Sequence, residues 1–137
     1  MSADDTTRAA EARAQPQQIE VKDALRTMTI TWADGHISRY PFWYLRGFCP
    51  CAVCQGHGGA LTFHGGDVGD GPKLNTIDDV GHYAINLTWD DGHKTGIYTL
   101  DGLRNLCPCP VCQNEPKGRS LVSRLPKTRL AALSALS

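Results

Sequence analysis

The sequence predicts an α+β fold: two tandem units, each a β-hairpin followed by a short helix, packed about a pseudo-two-fold axis and stapled by metal. Three observations predict it. The stretch "TWADGHISRYPFWYLRGFCPCAVCQ" (31–55) lies over "TWDDGHKTGIYTLDGLRNLCPCPVCQ" (88–113), with one residue of difference in length. Each copy alternates apolar and polar residues on the way into an Asp-Gly turn, the pattern of a half-buried hairpin. All six cysteines of the chain fall into two Cys-x-Cys-x-x-Cys knots, one at the end of each copy. A tandem repeat of this kind reads as one supersecondary unit used twice, each unit burying too little by itself.

The elements follow in order. Residues 1–18 carry Ala, Gln, Asp and Arg without apolar periodicity and read as a flexible N-terminal tail. Leu25–Trp32 reads as a strand with Met28, Ile30 and Trp32 on one face. Ala33-Asp34-Gly35 is the turn, His36–Phe42 the return strand, and Trp43–Phe48 a short helical turn leading to Cys49. The glycine-rich stretch 56–73 reads as a loop and lacks the Gly-Lys-Ser/Thr ending of a phosphate-binding loop. The pattern then returns as His82–Trp89, Asp90-Asp91-Gly92, His93–Thr99 and Leu100–Leu106, ending at Cys107. Residues 19–113 therefore form the expected domain. From Asn114 to 137 the chain reads as a basic C-terminal tail, in which a short amphipathic helix is interrupted at Pro126.

Bulk properties narrow the function. A chain of 137 residues, 41% hydrophobic and 20% charged, is an ordinary single globular domain. Its formal net charge of zero argues against nucleic acid or an anionic membrane as a partner. The N-terminus has no apolar core of a secretory signal, and no run is long enough to span a bilayer. A cytoplasmic setting is expected, and in a reducing compartment clustered thiols point to metal or redox chemistry rather than to disulfides.

The knots ask for a fourth ligand. Zinc takes thiolates in a tetrahedral shell, and three cysteines leave that shell one donor short. Cysteines separated by one residue pair badly as disulfides, and the proline between them stiffens the backbone. The repeat offers one candidate per copy, His36 and His93, each just after its Asp-Gly turn. His57, His64 and His82 do not recur between copies.

Geometry pairs each histidine with the other copy's knot. A return strand of six residues runs roughly 20 Å from the turn, and the short helix recovers at most roughly 9 Å. Histidine and knot of one unit thus end far apart, and antiparallel packing of two units brings them together crosswise. The expected sites are Cys49, Cys51, Cys54 with His93, and Cys107, Cys109, Cys112 with His36. Arg46 and Arg104 recur just before the knots. They either back the thiolates from the second ligand shell or pair with a turn aspartate.

These residues resemble a known family. "ITWADGHISRYPFWYLRGFCPCAVC" and "YAINLTWDDGHKTGIYTLDGLRNLC" are similar to the gamma-butyrobetaine hydroxylase-like N-terminal domain over roughly residues 20–107, through the W-x-D-G-H, L-R and C-x-C-x-x-C elements. That small domain occurs alone in bacteria, ahead of the catalytic domain of carnitine-synthesis dioxygenases, and on some iron–sulfur scaffold ATPases. The resemblance implies an α+β fold and one zinc, held by Cys49, Cys51, Cys54 and His93. The second knot departs from the family pattern, and its site rests on the repeat.

Dioxygenase chemistry needs a His-x-Asp/Glu iron motif, and none of the five histidines begins one. A filled Cys₃His zinc also lacks the open position of a catalytic ion. The expected function is a non-catalytic zinc-binding module acting through protein contacts, as monomer or homodimer, with an oxygenase or metal-cluster assembly protein as partner. The alternative from another class is a metal or iron–sulfur carrier, or a thiol redox protein, using the second knot.

Overall fold

The computed structural model describes residues 11–50, Phe63, Gly69, 71–94 and 96–134. Among the described residues, six strands form two antiparallel sheets of three. The first orders β1 (Pro16–Lys22), β2 (Thr27–Trp32) and β3 (Ile37–Pro41), and the second β4 (Leu74–Val80), β5 (Ala84–Trp89) and β6 (Gly96–Thr99). Short helices α1 (Phe42–Gly47) and α2 (Leu100–Asn105) follow the two sheets directly. The chain ends in α3 (Pro110–Gln113), α4 (Pro116–Val122) and α5 (Lys127–Ser134). No helix of the described residues is long and apolar enough to cross a membrane.

The hairpins follow from local chemistry. Met28, Ile30 and Trp32 alternate inward on β2, and Ile85, Leu87 and Trp89 do so on β5. Gly35 and Gly92 take the left-handed φ of +89° and +91° at the hairpin turns, a conformation glycine adopts without strain. In β2–β3, Met28 faces Tyr40 and Ile30 faces Ser38; in β5–β6, Ile85 faces Tyr98.

Each sheet has one strand more than the expected hairpin. β1 and β4 are edge strands that bury little: Ile19 and Ile77 are only half-buried, and most neighbours are exposed. A polar edge strand carries no alternation for the eye to catch, and its charges keep the edge from pairing with other chains. β1 begins at Pro16, so the last residues of the expected N-terminal tail belong to a sheet.

The segment from Asn114 onward differs more from expectation. Instead of a solvated basic tail, its helices return to the core, where Val122, Leu125 and Leu133 are buried. Arg129 is buried too; its guanidinium lies 4.3 Å from the Trp43 ring centre and donates to the Gly69 carbonyl at 2.8 Å. Basic composition masked an apolar stripe on either side of Pro126.

The core is shared between the two sheets and their helices. Phe42 meets Trp89 edge to face with ring centres 5.8 Å apart. Phe63 packs on Trp43 and Phe48, so close to Gly47 that a Cβ there would sit 2.0 Å from the ring.

Buried phenols tie the helices to the opposite sheets. Tyr40 on β3 donates to the Leu103 carbonyl on α2, and Tyr98 on β6 donates to the Leu45 carbonyl on α1, both at 2.5 Å. Tyr44 on α1 donates to the Leu106 carbonyl at 2.6 Å. Replacing Tyr40 or Tyr98 by Phe is expected to lower unfolding free energy by about 1 kcal/mol each, the net worth of a buried hydrogen bond. Ile37→Ala on the exposed face is expected to change it by less than about 0.5 kcal/mol. Urea titration followed by tryptophan fluorescence measures all three.

Candidate metal centre

Local structure first fixes where each donor stands. At the β2–β3 turn, Gly35 N–H bonds to the Trp32 carbonyl and Trp32 N–H to the His36 carbonyl. Asp34 folds back and accepts the His36 N–H at 3.1 Å, which holds the turn shut and projects His36 from its tip. Across from it, α2 ends as Cys107 N–H bonds to the Arg104 carbonyl. Cys109 then opens α3, its sulfur accepting the Cys112 N–H at 3.4 Å. Pro110, at the first position of that helix, has no N–H to leave unpaired.

His36, Cys107, Cys109 and Cys112 offer donor atoms that all lie within 4.8 Å of one another. His36 Nε2 stands 3.3 Å from Cys107 Sγ, 3.4 Å from Cys112 Sγ and 3.6 Å from Cys109 Sγ. One imidazole nitrogen makes one hydrogen bond, through one proton or one lone pair. Three near-equal approaches are therefore not three hydrogen bonds. They match the edges of a tetrahedron: zinc at ~2.3 Å from sulfur and ~2.0–2.1 Å from nitrogen sets N···S edges near 3.5 Å. The donor set fits a soft divalent ion, and this cluster can hold a metal ion.

The electrostatics point the same way. Burial pushes the Cys107 thiol up, against a hydrogen bond from the Ser38 hydroxyl that pulls it down. Burial also pushes Cys112 far up, reinforced by the neighbouring Cys107. Cys109, the most exposed of the three, is also pushed up by burial, but hydrogen bonds from Cys112 and Cys107 leave it below its ordinary value. Burial lowers the His36 imidazole, and the Arg104 charge lowers it further. Three crowded thiolates repel and a protonated imidazole is disfavoured. A bound cation answers both by stabilising the thiolates and using the neutral ring as a ligand.

Arg104 braces this centre. Its guanidinium grips both oxygens of Asp34 at 3.0 Å, donates to the Arg13 carbonyl, and lies 5.7 Å from the Trp32 ring centre. That hydrogen bond holds the Asp34 carboxyl below the usual range, and Asp34 in turn holds the His36 backbone. Both roles the sequence offered for this arginine are represented: it forms the ion pair with the turn aspartate, and its charge also acts on Cys107 and Cys112.

The first knot shows a matching fragment. His93 Nε2 lies 3.0 Å from Cys49 Sγ. Asp91 accepts the His93 N–H at 3.0 Å and pairs with Arg46 at 2.9 Å. Cys51 and Cys54 lie outside the described residues, as do His57 and His64. His82 stands in the β4–β5 turn and is exposed.

Several residues at the site were not singled out from sequence. Ser38 is buried, accepts the Trp32 indole N–H at 2.9 Å and hydrogen-bonds Cys107. Gly96 takes the corresponding place in β6, where a Cβ would come within 3.2 Å of Cys49 Sγ. The Trp89 indole N–H is accordingly buried without a partner among the described residues. Arg13, from the expected tail, reaches Asp101 at 3.2 Å and Asn105 at 2.9 Å beside the second knot. The serine-for-glycine exchange was visible two residues before Tyr40 and Tyr98; Arg13 left no signal.

Comparison with known proteins places this geometry. No curated protein matches the chain. Among solved structures, a crystal structure of a protein of unknown function of the DUF971 family, from Acidithiobacillus ferrooxidans ATCC 23270, is 39% identical. The match covers 69% of this chain and 94% of that one, with a TM-score of 0.57. Two solution structures determined by NMR are 27% and 25% identical, cover 89% and 88% of this chain and 86% and 82% of their own, and score 0.57 and 0.56. A family model described as gamma-butyrobetaine hydroxylase-like, N-terminal, matches residues 19–104. With β2 to β6, both turn histidines and the first knot inside that span, the chain belongs to the gamma-butyrobetaine hydroxylase-like N-terminal family.

Proposed function

We propose that this protein is a non-catalytic zinc-binding module with two crosswise Cys₃His centres, acting through contacts with a protein partner. One centre takes His36, Cys107, Cys109 and Cys112; the other takes His93, Cys49, Cys51 and Cys54. The observation that carries the reading is the near-equal approach of His36 Nε2 to three sulfurs, at 3.3, 3.4 and 3.6 Å. Four protein donors fill a tetrahedral shell and leave no open position for substrate, which favours a structural role over a catalytic one.

The crossing supports a pseudo-two-fold arrangement of the two units. Arg104 with Asp34 answers Arg46 with Asp91, and Tyr40 to Leu103 answers Tyr98 to Leu45. An oxygenase or a metal-cluster assembly protein is the proposed partner. That part rests on the company the family keeps, and the cytoplasmic setting rests on the clustered thiols.

Metal analysis of protein purified without added metal tests the reading. About two zinc ions per chain are expected, one per four-donor set; a brown protein absorbing near ~400 nm after anaerobic preparation, the mark of an iron–sulfur cluster, would overturn it. His93→Ala is expected to empty the first centre and lower Tm by about 10 °C, because metal binding and folding are coupled. Cys109→Ser is expected to remove about one ion and leave the first centre filled. Arg104→Ala is expected to weaken the second centre about 10–100-fold in a competition titration with a chelator, the usual cost of removing a supporting residue.

A further inference from the structure

The second knot combines a metal-ligand set with the makings of a disulfide. Its three cysteines differ in exposure: Cys107 is 1% exposed and Cys112 7%, whereas Cys109 is half-buried. Cys112 lines an open cleft together with Arg13, Arg104, Asn105, Glu115, Pro116 and Gly118. A small neutral oxidant has access to this pair from two sides, at the partly exposed Cys109 and along the cleft at Cys112.

Spacing then selects the partner. Cys107 and Cys109 are separated only by Pro108, a span that rarely meets disulfide geometry. Cys109 and Cys112 bracket the first turn of α3, and their sulfurs are already within 4.8 Å. Cys-x-x-Cys at the opening of a helix is the spacing of the thiol–disulfide oxidoreductases, in which the two sulfurs do join. The backbone bond from Cys112 N–H to Cys109 Sγ, at 3.4 Å, holds that turn closed.

We propose that Cys109 and Cys112 form a peroxide-sensitive dithiol whose oxidation to a disulfide dismantles the His36 centre. This rests on the metal-binding reading above. The Cys109 sulfur attacks a peroxide oxygen; the O–O bond breaks, hydroxide leaves and takes up a proton as water, and Cys109 carries a sulfenic acid. Cys112 sulfur attacks the Cys109 sulfur; the S–O bond breaks, a second water departs after protonation, and the S–S bond forms. Two thiolates have lost two electrons, and one hydrogen peroxide with two protons has become two waters.

His36 and Cys107 remain, two donors where four stood, and cannot retain the ion against water. The change spreads along named contacts. His36 loses its anchor at the end of the β2–β3 turn. α4 also feels the knot directly, since a Cβ on Gly118 would lie 2.0 Å from the Cys112 carbonyl. A reductant of the dithiol class restores both thiols and the site.

The test uses the full chain. Zinc is loaded and counted first, and that count alone judges whether the second centre binds metal. Hydrogen peroxide is then added, freed zinc is read with a chromogenic chelator, free thiols are alkylated, and linkages are assigned by fragmentation mass spectrometry. About one ion per chain is expected to be released, in step with a Cys109–Cys112 linkage and reversed by dithiothreitol with zinc. Peroxide-treated metal-stripped chain is expected to show the same linkage, so the dithiol is judged even if no zinc was held. Cys112→Ser is expected to stop at an oxidised Cys109 without an internal disulfide. Zinc retained under excess peroxide, or a first linkage at Cys107 or within the first knot, overturns the proposal.

Discussion

Three cysteine sulfurs crowded around one imidazole nitrogen impose the constraint on which much of the rest depends. Such a group is costly to bury: ionised thiols repel one another, neutral thiols waste their donor strength, and a charged imidazole is poorly solvated there. Burial first, and the neighbouring thiols after it, drive Cys107 and Cys112 away from the thiolate. The surroundings are arranged to tolerate negative charge at this place. Ser38 hydrogen-bonds Cys107, the Cys112 N–H points at Cys109, and the Arg104 guanidinium stands behind the turn that carries His36.

The same constraint accounts for the route of the chain. A histidine at a hairpin tip and a knot after the following helix cannot meet within one unit. Each unit must therefore lie against the other, and the contacts made on the way are of one kind repeated. A phenol from a return strand reaches the opposite helix, an arginine from that helix reaches the opposite turn, and the turn presents its histidine. Aromatic side chains fill what lies between, with Phe42 against Trp89 at the centre.

What was legible in the sequence was whatever left a period or a spacing. Alternation placed Met28, Ile30 and Trp32 inside, glycine marked the two turns, and cysteine spacing with the matched histidines pointed to the metal donors. β1 and β4 were not legible, because Ile19 and Ile77 are half-buried among exposed residues and Leu74 alone enters the core, which leaves almost no pattern to read. The final helices were hidden by composition, as Val122, Leu125 and Leu133 are sparse among basic and small residues. Ser38 was hidden for another reason: a lone serine in a strand signals nothing until its partners, Trp32 and Cys107, are known in space.

The crossed tyrosines bear on how this protein can be divided. Two stretches so alike in sequence invite a cut between them, as though each were a module to be lifted out. Yet Tyr40 finds its acceptor 63 residues away and Tyr98 finds its acceptor 53 residues away, in both cases across that cut. A fragment holding either stretch alone would keep the phenol and lose its acceptor, with the aromatic face beneath it left open to water. The boundary that is plainest on paper is therefore the place where this fold is least divisible.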